Sequence, residues 1–223
     1  MPDLAVLLFV IAGFIGLLFI VISSDRGGRT SKPWLSGQAA KKGRIGETSV
    51  SVEISRNFSE DNYRLIDNLT LPLGQGTTQV DHVLVSTFGI FVIETKHISG
   101  WIFGAPWQRQ WTQVLYRQKN RFANPLKQNA AHLDALRRLL PVPHRCFFSV
   151  IVFSADAQFK TDMPDNVLYL DELVDFIEAK DKTLFRPEQI ASVAEQIEAA
   201  CLPRGAETDR QHIDYVRGKH PRH

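Results

Sequence analysis

The stretch Thr77–Lys96, TTQVDHVLVSTFGIFVIETK, decides the fold because its pattern predicts a β-hairpin. Two apolar runs, at residues 80–85 and 90–93, flank a Ser-Thr-Phe-Gly connection in which Gly89 supplies the turn glycine. The runs are β-branched or aromatic and nearly continuous, which is typical of strands that are covered on both faces. The hairpin therefore predicts the centre of a buried sheet.

Three charged residues, Asp81, Glu94 and Lys96, interrupt these apolar strands. If residue 86 pairs with residue 89, Asp81 lies directly across from Glu94, with the Cβ atoms about 5 Å apart. Lys96 is two residues further on and points to the same face as Glu94. A three-residue loop with a bulge at Gly89 would shift the register by one and separate these charges. We prefer the first register because it gathers the charges on one face.

Two carboxylates this close repel each other unless a cation lies between them. A hard divalent cation with oxygen ligands can hold a phosphate and lower the pKa of a bound water, and a neighbouring lysine can orient that water. These residues are therefore suited to phosphodiester hydrolysis. The alternative is an interstrand ion pair at the rim of the sheet, which a pattern as short as D…ExK also fits.

The chain has 223 residues, enough for one domain of about 150 residues with additional segments. Its net charge of +2 gives no bulk attraction to polyanions, so contact with a nucleic acid requires a local basic patch. The two cysteines have neither metal-binding nor disulfide-framework spacing, which fits a reducing compartment.

Leu4–Ile22 is an uncharged apolar segment that predicts a transmembrane helix. At 1.5 Å per residue it spans about 28 Å, close to the bilayer core. The competing interpretation, a cleaved signal peptide, would require basic residues before the segment and a small-residue cleavage site. Basic residues follow the segment instead, which predicts a single-pass protein of the cell (inner) membrane with its N-terminus outside and the main domain in the cytoplasm. Residues 23–37 are predicted to be a juxtamembrane linker that lies against anionic lipid or contacts nucleic acid.

A helix is predicted over Gln38–Phe58, with an inward stripe formed by Ile45 or Gly46, Val50, Ile54 and Phe58 or Asn57. Glu47 lies on this stripe, where a carboxylate is unusual. An alternative is an exposed Glu47 near the helix start, favoured there by the helix dipole. Gly43 and Gly46 would allow close packing of this helix against a sheet.

The rest of the chain predicts further strands and helices. A strand at Tyr63–Leu71 precedes the hairpin, and Gly100–Gly104 and Trp111–Tyr116 form a second hairpin. Trp101, Trp107 and Trp111 in that region would stack on bases or pack in the core or at the sheet edge. The later elements are a helix opened by Asn124 and Pro125, a buried strand at Cys146–Ser154 with a parallel neighbour, a short strand at Val167–Leu170, and helices at Asp171–Ala179 and Pro187–Cys201.

The main domain is predicted at residues 38–202, followed by a basic tail at 203–223 that is expected to be a solvated helix. The order of these elements resembles the restriction-endonuclease-like fold of the PD-(D/E)xK superfamily, and residues 43–155 resemble a nuclease-related (NERD) domain. The matching motifs are Gly43-x-x-Gly46-Glu47, Gly76-Thr77-Thr78-Gln79-Val80-Asp81-His82-Val83, Gly89-Ile90-Phe91-Val92-Ile93-Glu94-Thr95-Lys96 and Asn124-Pro125-Leu126-x-Gln128-Asn129.

The resemblance implies an α/β fold with a mixed β-sheet flanked by helices, here preceded by one N-terminal transmembrane helix. It also implies a nuclease site that uses Mg²⁺ or Mn²⁺, with Glu47, Asp81 and Glu94 as metal ligands, Lys96 acting on the attacking water and Gln128 completing the site. The expected partners are nucleic acid, with DNA as the substrate, and the membrane. Two alternatives stay open: a non-catalytic module of the same fold that binds nucleic acid or protein, and a structural protein whose acidic cluster only neutralises Lys96.

Overall fold

A computed structural model of the protein describes residues 33–59 and 61–219. The predicted transmembrane segment Leu4–Ile22 and most of the predicted linker lie outside this range. Within the range, no helix is both long enough and apolar enough to cross a bilayer. The anchor therefore stays a prediction from the sequence.

The described residues form a mixed α/β fold. In chain order the elements are α1 (Pro33–Asn57), β1 (Tyr63–Leu73), β2 (Gly76–Ser86), β3 (Gly89–Lys96), β4 (Gly100–Phe103), β5 (Gln110–Leu115), β6 (Gln118–Ala123), α2 (Pro125–Leu139), β7 (Phe147–Phe153), β8 (Ala157–Phe159), β9 (Val167–Tyr169), α3 (Leu173–Glu178), α4 (Pro187–Ala200) and α5 (Ala206–Lys219). Short 3₁₀ turns precede β7 and α3.

Two mixed sheets organise these elements. The central sheet has the strand order β1-β2-β3-β7-β9, in which β1, β2 and β3 are antiparallel neighbours and β7 runs parallel to both β3 and β9. The second sheet has the order β6-β5-β4-β8. Its antiparallel β4–β5 pair confirms the predicted second hairpin, and the parallel β3–β7 pair confirms the parallel neighbour of the strand after α2.

The register of the first hairpin is the one preferred from the sequence. Ser86 pairs with Gly89, Val85 with Ile90, and His82 with Ile93. Gly89 has a φ of 141°, a backbone conformation that side chains with a Cβ rarely adopt, so the turn requires glycine. Continuing this register by one residue brings Asp81 opposite Glu94.

Both faces of the hairpin are covered, as its continuous apolar runs predicted. One face packs under α1, in a cluster that includes Val50, Ile54, Leu84, Phe91 and Ile93. The other face packs under α2 and α4, in a cluster that includes Val83, Val85, Ile90, Val92, Leu136 and Ile197. Each fully buried side chain of this size contributes about 1.5–3 kcal/mol relative to an exposed one. The site therefore lies on strands that are held from both sides.

Helix α1 begins at Pro33 rather than at Gln38, so the last residues of the predicted linker are helical. Its buried stripe runs through Gly46 and not through Ile45, which is 47% exposed. A Cβ at position 46 would lie 2.6 Å from the Cβ of His97 and 2.7 Å from Oγ of Ser154. Only glycine allows this approach of the helix to the ends of β3 and β7, as the sequence predicted for close packing.

Helix α5 corrects the expectation of a solvated C-terminal tail. It packs against β2 and buries His212, whose Nδ1 lies 2.7 Å from Oγ1 of Thr77. The ring of Tyr215, one turn further on, lies against Gly76. The tail is helical, as predicted, but one of its faces is not solvated. The expectation weighed the basic residues of the tail and not His212 and Tyr215, whose i,i+3 spacing places them on one face of the helix.

Candidate active site

A buried ion pair forms the centre of the site at the end of β3. Glu94 is 1% exposed, and Nζ of Lys96 donates a hydrogen bond to its Oε1. The same ammonium donates to Oε1 of Gln128, 3.1 Å away. The structure therefore brings together three of the predicted site residues, two from β3 and one from α2.

The start of α2 fixes the position of Gln128. Asn124 is the N-cap predicted from the sequence: its side-chain oxygen accepts from the backbone N–H of Leu126 at 2.9 Å, and Pro125 follows in the first turn. The side-chain nitrogen of Asn124 also donates to the carbonyl oxygens of residues 105, 106 and 108, at 3.2, 3.1 and 2.8 Å. Because both the oxygen and the nitrogen of the Asn124 side chain are hydrogen-bonded, the start of α2 is fixed. Gln128 lies one turn later and is therefore fixed in position as well.

Glu94 has a second partner that the sequence analysis missed. Nε2 of His132 donates to Oε2 of Glu94 at 3.1 Å, and Nδ1 of His132 lies 2.7 Å from Oγ1 of Thr78 on β2. His132 is buried. It comes four residues after Gln128, and residues at this spacing share a helix face, so the i,i+4 rule applied from Gln128 would have found it.

These partners decide the charge of Glu94. Burial by itself would raise the pKa of this carboxyl, but the charge of Lys96 and the hydrogen bond and charge of His132 outweigh burial and lower the pKa below its usual value. Glu94 is therefore a carboxylate at neutral pH even though it is enclosed.

Asp81 stands beside this pair on β2 and is partly buried. Its Oδ2 accepts from the backbone N–H of Thr95 at 2.8 Å. Burial raises the pKa of Asp81 well above its usual value, and the negative charges of Glu94 and Glu47 raise it further, against the smaller opposing effect of Lys96. In contrast to Glu94, Asp81 has too little positive charge near it to balance the cost of ionisation.

Glu47 reaches the site from the opposite face of the sheet, on α1. It is half-buried, and burial raises its pKa, opposed by the charge of His82 and a hydrogen bond from the side chain of Asn68. The charges of Glu94 and Asp67 act in the raising direction. Glu47 thus belongs to the same electrostatic group as Asp81 and Glu94, but it joins them from the α1 side.

The α1 side also contains a buried histidine. His82 is fully buried, and its Nδ1 lies 2.7 Å from Oδ1 of Asp67, whose Oδ2 accepts from the hydroxyl of Ser51 at 3.1 Å. Nε2 of His82 has no hydrogen-bond partner among the described residues. The Asp67 carboxylate therefore orients an imidazole close enough to Glu47 to lower its pKa.

The donor chemistry fits a hard divalent cation, which prefers carboxylate oxygens. Burial is the largest cause of the raised pKa values of Asp81 and Glu47, and neighbouring carboxylates raise both further, so a bound cation would favour their ionised forms. In the part of the chain that the structure describes, no three carboxylate, imidazole or thiol side chains stand close enough to ligate one ion, and both oxygens of Glu94 already have partners. The donor type therefore suits a hard cation, but the described side chains would have to move before three of them could ligate one ion.

We expect His132→Ala to lower the free energy of unfolding by about 1–3 kcal/mol, because Glu94 and Thr78 each lose a buried hydrogen-bond partner. Since the folded-state pKa of Glu94 is lowered, Glu94 contributes stability above pH 4.5 that is lost as the pH falls through the folded value. Losing His132 raises that folded value, so acid unfolding should begin at a higher pH. Urea unfolding at several pH values measures both effects, and His144→Ala, at an exposed position, is the control. Equal stabilities of the two variants would contradict the role given to His132.

Comparison with known proteins agrees with this architecture. Residues 42–154 match the family model described as nuclease-related domain, NERD. A protein of Bacillus anthracis whose name describes it as uncharacterized is 29% identical over 183 residues, which cover 80% of this chain and 85% of that protein. The family match spans half of the chain and includes every predicted site residue from Glu47 to Gln128. The chain therefore belongs to the nuclease-related domain family, which has the restriction-endonuclease-like fold.

Proposed function

We propose that the protein is a metal-dependent nuclease that hydrolyses phosphodiester bonds in DNA, held at the cell membrane by Leu4–Ile22 with its nuclease domain in the cytoplasm. The observation that carries the proposal is the shared ammonium of Lys96. Its Nζ donates to both Glu94 and Gln128, and Asp81, a carboxyl group whose pKa is raised, lies beside it. Membership of the nuclease-related family supports the reaction class.

Each residue has a separate task in this proposal. Asp81, Glu94 and Glu47 would hold Mg²⁺ or Mn²⁺, because they supply carboxylate oxygens and share an excess of negative charge. The cation, when bound, would polarise the phosphate and lower the pKa of a water molecule. Gln128 holds the ammonium of Lys96 through its side-chain oxygen, and His132 holds Glu94.

Lys96 is suited to act on the attacking water. Its side chain is 16% exposed, while that of its partner Glu94 is 2% exposed, so the ammonium lies between the protein interior and solvent. From there Nζ can donate to a water or to a phosphate oxygen without leaving Glu94, because an ammonium has three donors. Lys96 would orient the nucleophile and stabilise the negative charge that develops on the phosphate.

A cleavage assay tests the proposal. We expect the full chain, extracted from membranes with mild detergent, to nick supercoiled plasmid DNA in the presence of Mg²⁺ or Mn²⁺ and not in EDTA. A panel of linear duplex DNA, single-stranded DNA and RNA would define the substrate. Absence of metal-dependent cleavage of every substrate would contradict a nuclease, and recovery from the soluble fraction without detergent would contradict the anchor.

The occupied oxygens of Glu94 favour a second candidate, a module of the same fold that binds nucleic acid without cutting it. Both oxygens of Glu94 are engaged by Lys96 and His132, so a cation there would compete with existing contacts. This alternative predicts binding of DNA in the same preparation with no nicking in any metal.

A further inference from the structure

We propose that the outer face of the four-stranded sheet binds single-stranded nucleic acid and presents it to the site at Glu94 and Lys96. This inference rests on the proposed nuclease function, for which it names the surface that holds the substrate. We call this surface the outer face and define it by Trp101, Phe103, Thr112, Val114, Lys119 and Arg121.

The strand register separates this face from the buried one. Trp101 pairs with Val114, which pairs with Lys119. Two residues further along each strand, Phe103, Thr112 and Arg121 form the next row on the same side. The alternate positions, which include Ile102, Trp111 and Phe122, are buried in the core below the sheet. One side of the sheet therefore carries aromatic and basic residues together.

The side chains on the outer face are accessible. Trp101 is 50% exposed, and Lys119 and Arg121 are exposed on β6, the edge strand. Lys160, which follows β8, has its ammonium 5.0 Å from the centroid of the Trp101 ring. A base that stacks on this face of the ring would displace the ammonium towards the neighbouring phosphate, so the pair supplies both a stacking ring and a cation.

Further aromatic and basic residues extend this pattern to the rim of the sheet. Trp107, in the β4–β5 connection, is 79% exposed, and Tyr116, at the β5–β6 turn, is 94% exposed. Arg109 and Arg117, both exposed, lie next to them in the chain. Trp111, in contrast, is fully buried, so the core interpretation is right for Trp111, while the exposure of Trp101 and Trp107 fits either base stacking or edge packing.

The charge distribution along the chain favours an anionic partner. Residues 95–133 contain no Asp or Glu, but they contain six basic residues: Lys96, Arg109, Arg117, Lys119, Arg121 and Lys127. The rest of the chain contains the other 20 of the 26 Lys and Arg residues, together with all 24 Asp and Glu residues. The closest acidic residues to β8 in the chain, Asp156 and Asp162, flank that strand and are exposed. The small net charge of the whole chain thus conceals a strongly basic segment.

The chain connections place this segment next to the site. The second hairpin and β6 are inserted between β3 and α2: β4 starts at Gly100, four residues after Lys96, and β6 ends at Ala123, five residues before Gln128. The hydrogen bond between Lys96 and Gln128 joins the two ends of this insertion. The two chain ends of the insertion that carries the outer face therefore meet at the proposed reacting groups.

Unpaired bases fit this surface better than a duplex does. Exposed aromatic rings contribute to binding by stacking on the face of a base, and in a duplex those faces are covered by neighbouring base pairs. A basic surface that also presents several aromatic rings is typical of proteins that hold single strands.

The binding of a fluorescent single-stranded 20-mer and of the matching duplex, measured by anisotropy with the full chain in detergent and EDTA, tests the inference. We expect tighter binding of the single strand. Trp101→Ala should weaken it by about 5- to 150-fold, and Trp101→Phe, which keeps an aromatic face, should recover most of the affinity. Arg121→Gln should weaken binding and reduce the slope of log Kd against log salt by about 0.7.

Arg145→Gln is the control, because Arg145 is exposed before β7, at the end of the sheet away from Lys96. Equal affinities of Trp101→Ala and Arg145→Gln, or tighter binding of the duplex, would overturn the inference. Because EDTA prevents cleavage, this result is independent of the proposed reaction: metal-dependent nicking with no effect of Trp101 refutes only the surface, and the expected binding without nicking refutes only the nuclease.

Discussion

Replacing Lys96 with alanine is expected to reduce metal-dependent nicking of DNA by about 10²- to 10⁴-fold, the usual contribution of a side chain that acts on the nucleophile. The physical reason is the placement of Nζ. It is held between Glu94 and Gln128 at the edge of solvent, and no neighbouring residue of the described site offers a second ammonium in that position. The measurement is the initial rate of plasmid nicking at saturating Mg²⁺.

Lys96→Ala also removes the main cation from a buried carboxylate, so reduced stability has to be separated from lost chemistry. Lys96→Arg keeps a positive charge against Glu94 and should retain more of the melting temperature, but its rigid planar donor group cannot reproduce the geometry of the ammonium, so cleavage should still be lost. Lys182→Ala, at an exposed position, is the matched control. Wild-type nicking rates in both Lys96 variants would remove Lys96 from the mechanism.

The hairpin shows how much of this site could be predicted from the sequence. Apolar runs on both sides of a short glycine-containing turn leave few possible registers, and only one of them gathers the charges on one face. That register is the observed one. The N-cap at Asn124 can also be predicted from the sequence, because Asn followed by Pro is a local signal that depends on backbone chemistry alone.

Contacts between distant parts of the chain could not be predicted from local sequence patterns in this way. The second sheet depends on β8, a strand of three residues that pairs with β4 across more than fifty residues, and so short a strand carries no periodicity. The spacing of His212 and Tyr215 marks one face of the last helix, but it does not show that this face docks on β2, where His212 contacts Thr77. Spacing does not distinguish Ile45 from Gly46 as the inward residue, because it does not show how closely a helix approaches its sheet, and in the structure this approach requires glycine.

If the acidic cluster only neutralises Lys96, as the structural alternative holds, the expected effect on stability of removing the Asp81 charge is opposite to the effect that we predict. If Asp81 served only to neutralise Lys96, removing its charge would destabilise the protein. The structure indicates the reverse, because burial and the charges of Glu94 and Glu47 raise the pKa of Asp81 despite Lys96. A carboxyl with a raised pKa costs stability when it ionises. Ionised Asp81 therefore lowers the stability of the fold, and perturbed pKa values of this kind are concentrated at functional sites.

Asp81→Asn is accordingly expected to stabilise the metal-free protein and to abolish metal-dependent nicking. The asparagine keeps an oxygen that can accept from the N–H of Thr95 but removes the charge. A gain on the order of 1 kcal/mol would raise the melting temperature by about 2–4 °C for a chain of this size. Mg²⁺ should raise the melting temperature of the wild type and have little effect on the variant, because a ligand stabilises only the state that binds it.

The pH dependence of this gain follows from the direction of the shift. Below pH 3.8 the Asp81 carboxyl is protonated in both the folded and the unfolded chain, so the substitution changes little. As the pH rises above 3.8, the unfolded chain releases its proton first, and the folded wild type loses stability until the pH passes the raised folded-state value. The difference in melting temperature between Asp81→Asn and the wild type should therefore grow as the pH rises from 3.8 to the raised folded-state pKa and then become constant.

Asp134→Asn separates this effect from a general change in net charge, because Asp134 is exposed on α2 and its substitution removes the same charge from the surface. A lower melting temperature of Asp81→Asn than of Asp134→Asn in EDTA at pH 7.5 would support the structural interpretation over the metal site. So would an equal response of the wild type and Asp81→Asn to Mg²⁺. We predict that Asp81→Asn is more stable than the wild type, no longer nicks DNA and no longer responds to Mg²⁺. This combination requires that the carboxylate of Asp81 be balanced by a bound cation, because the folded chain does not supply enough positive charge there.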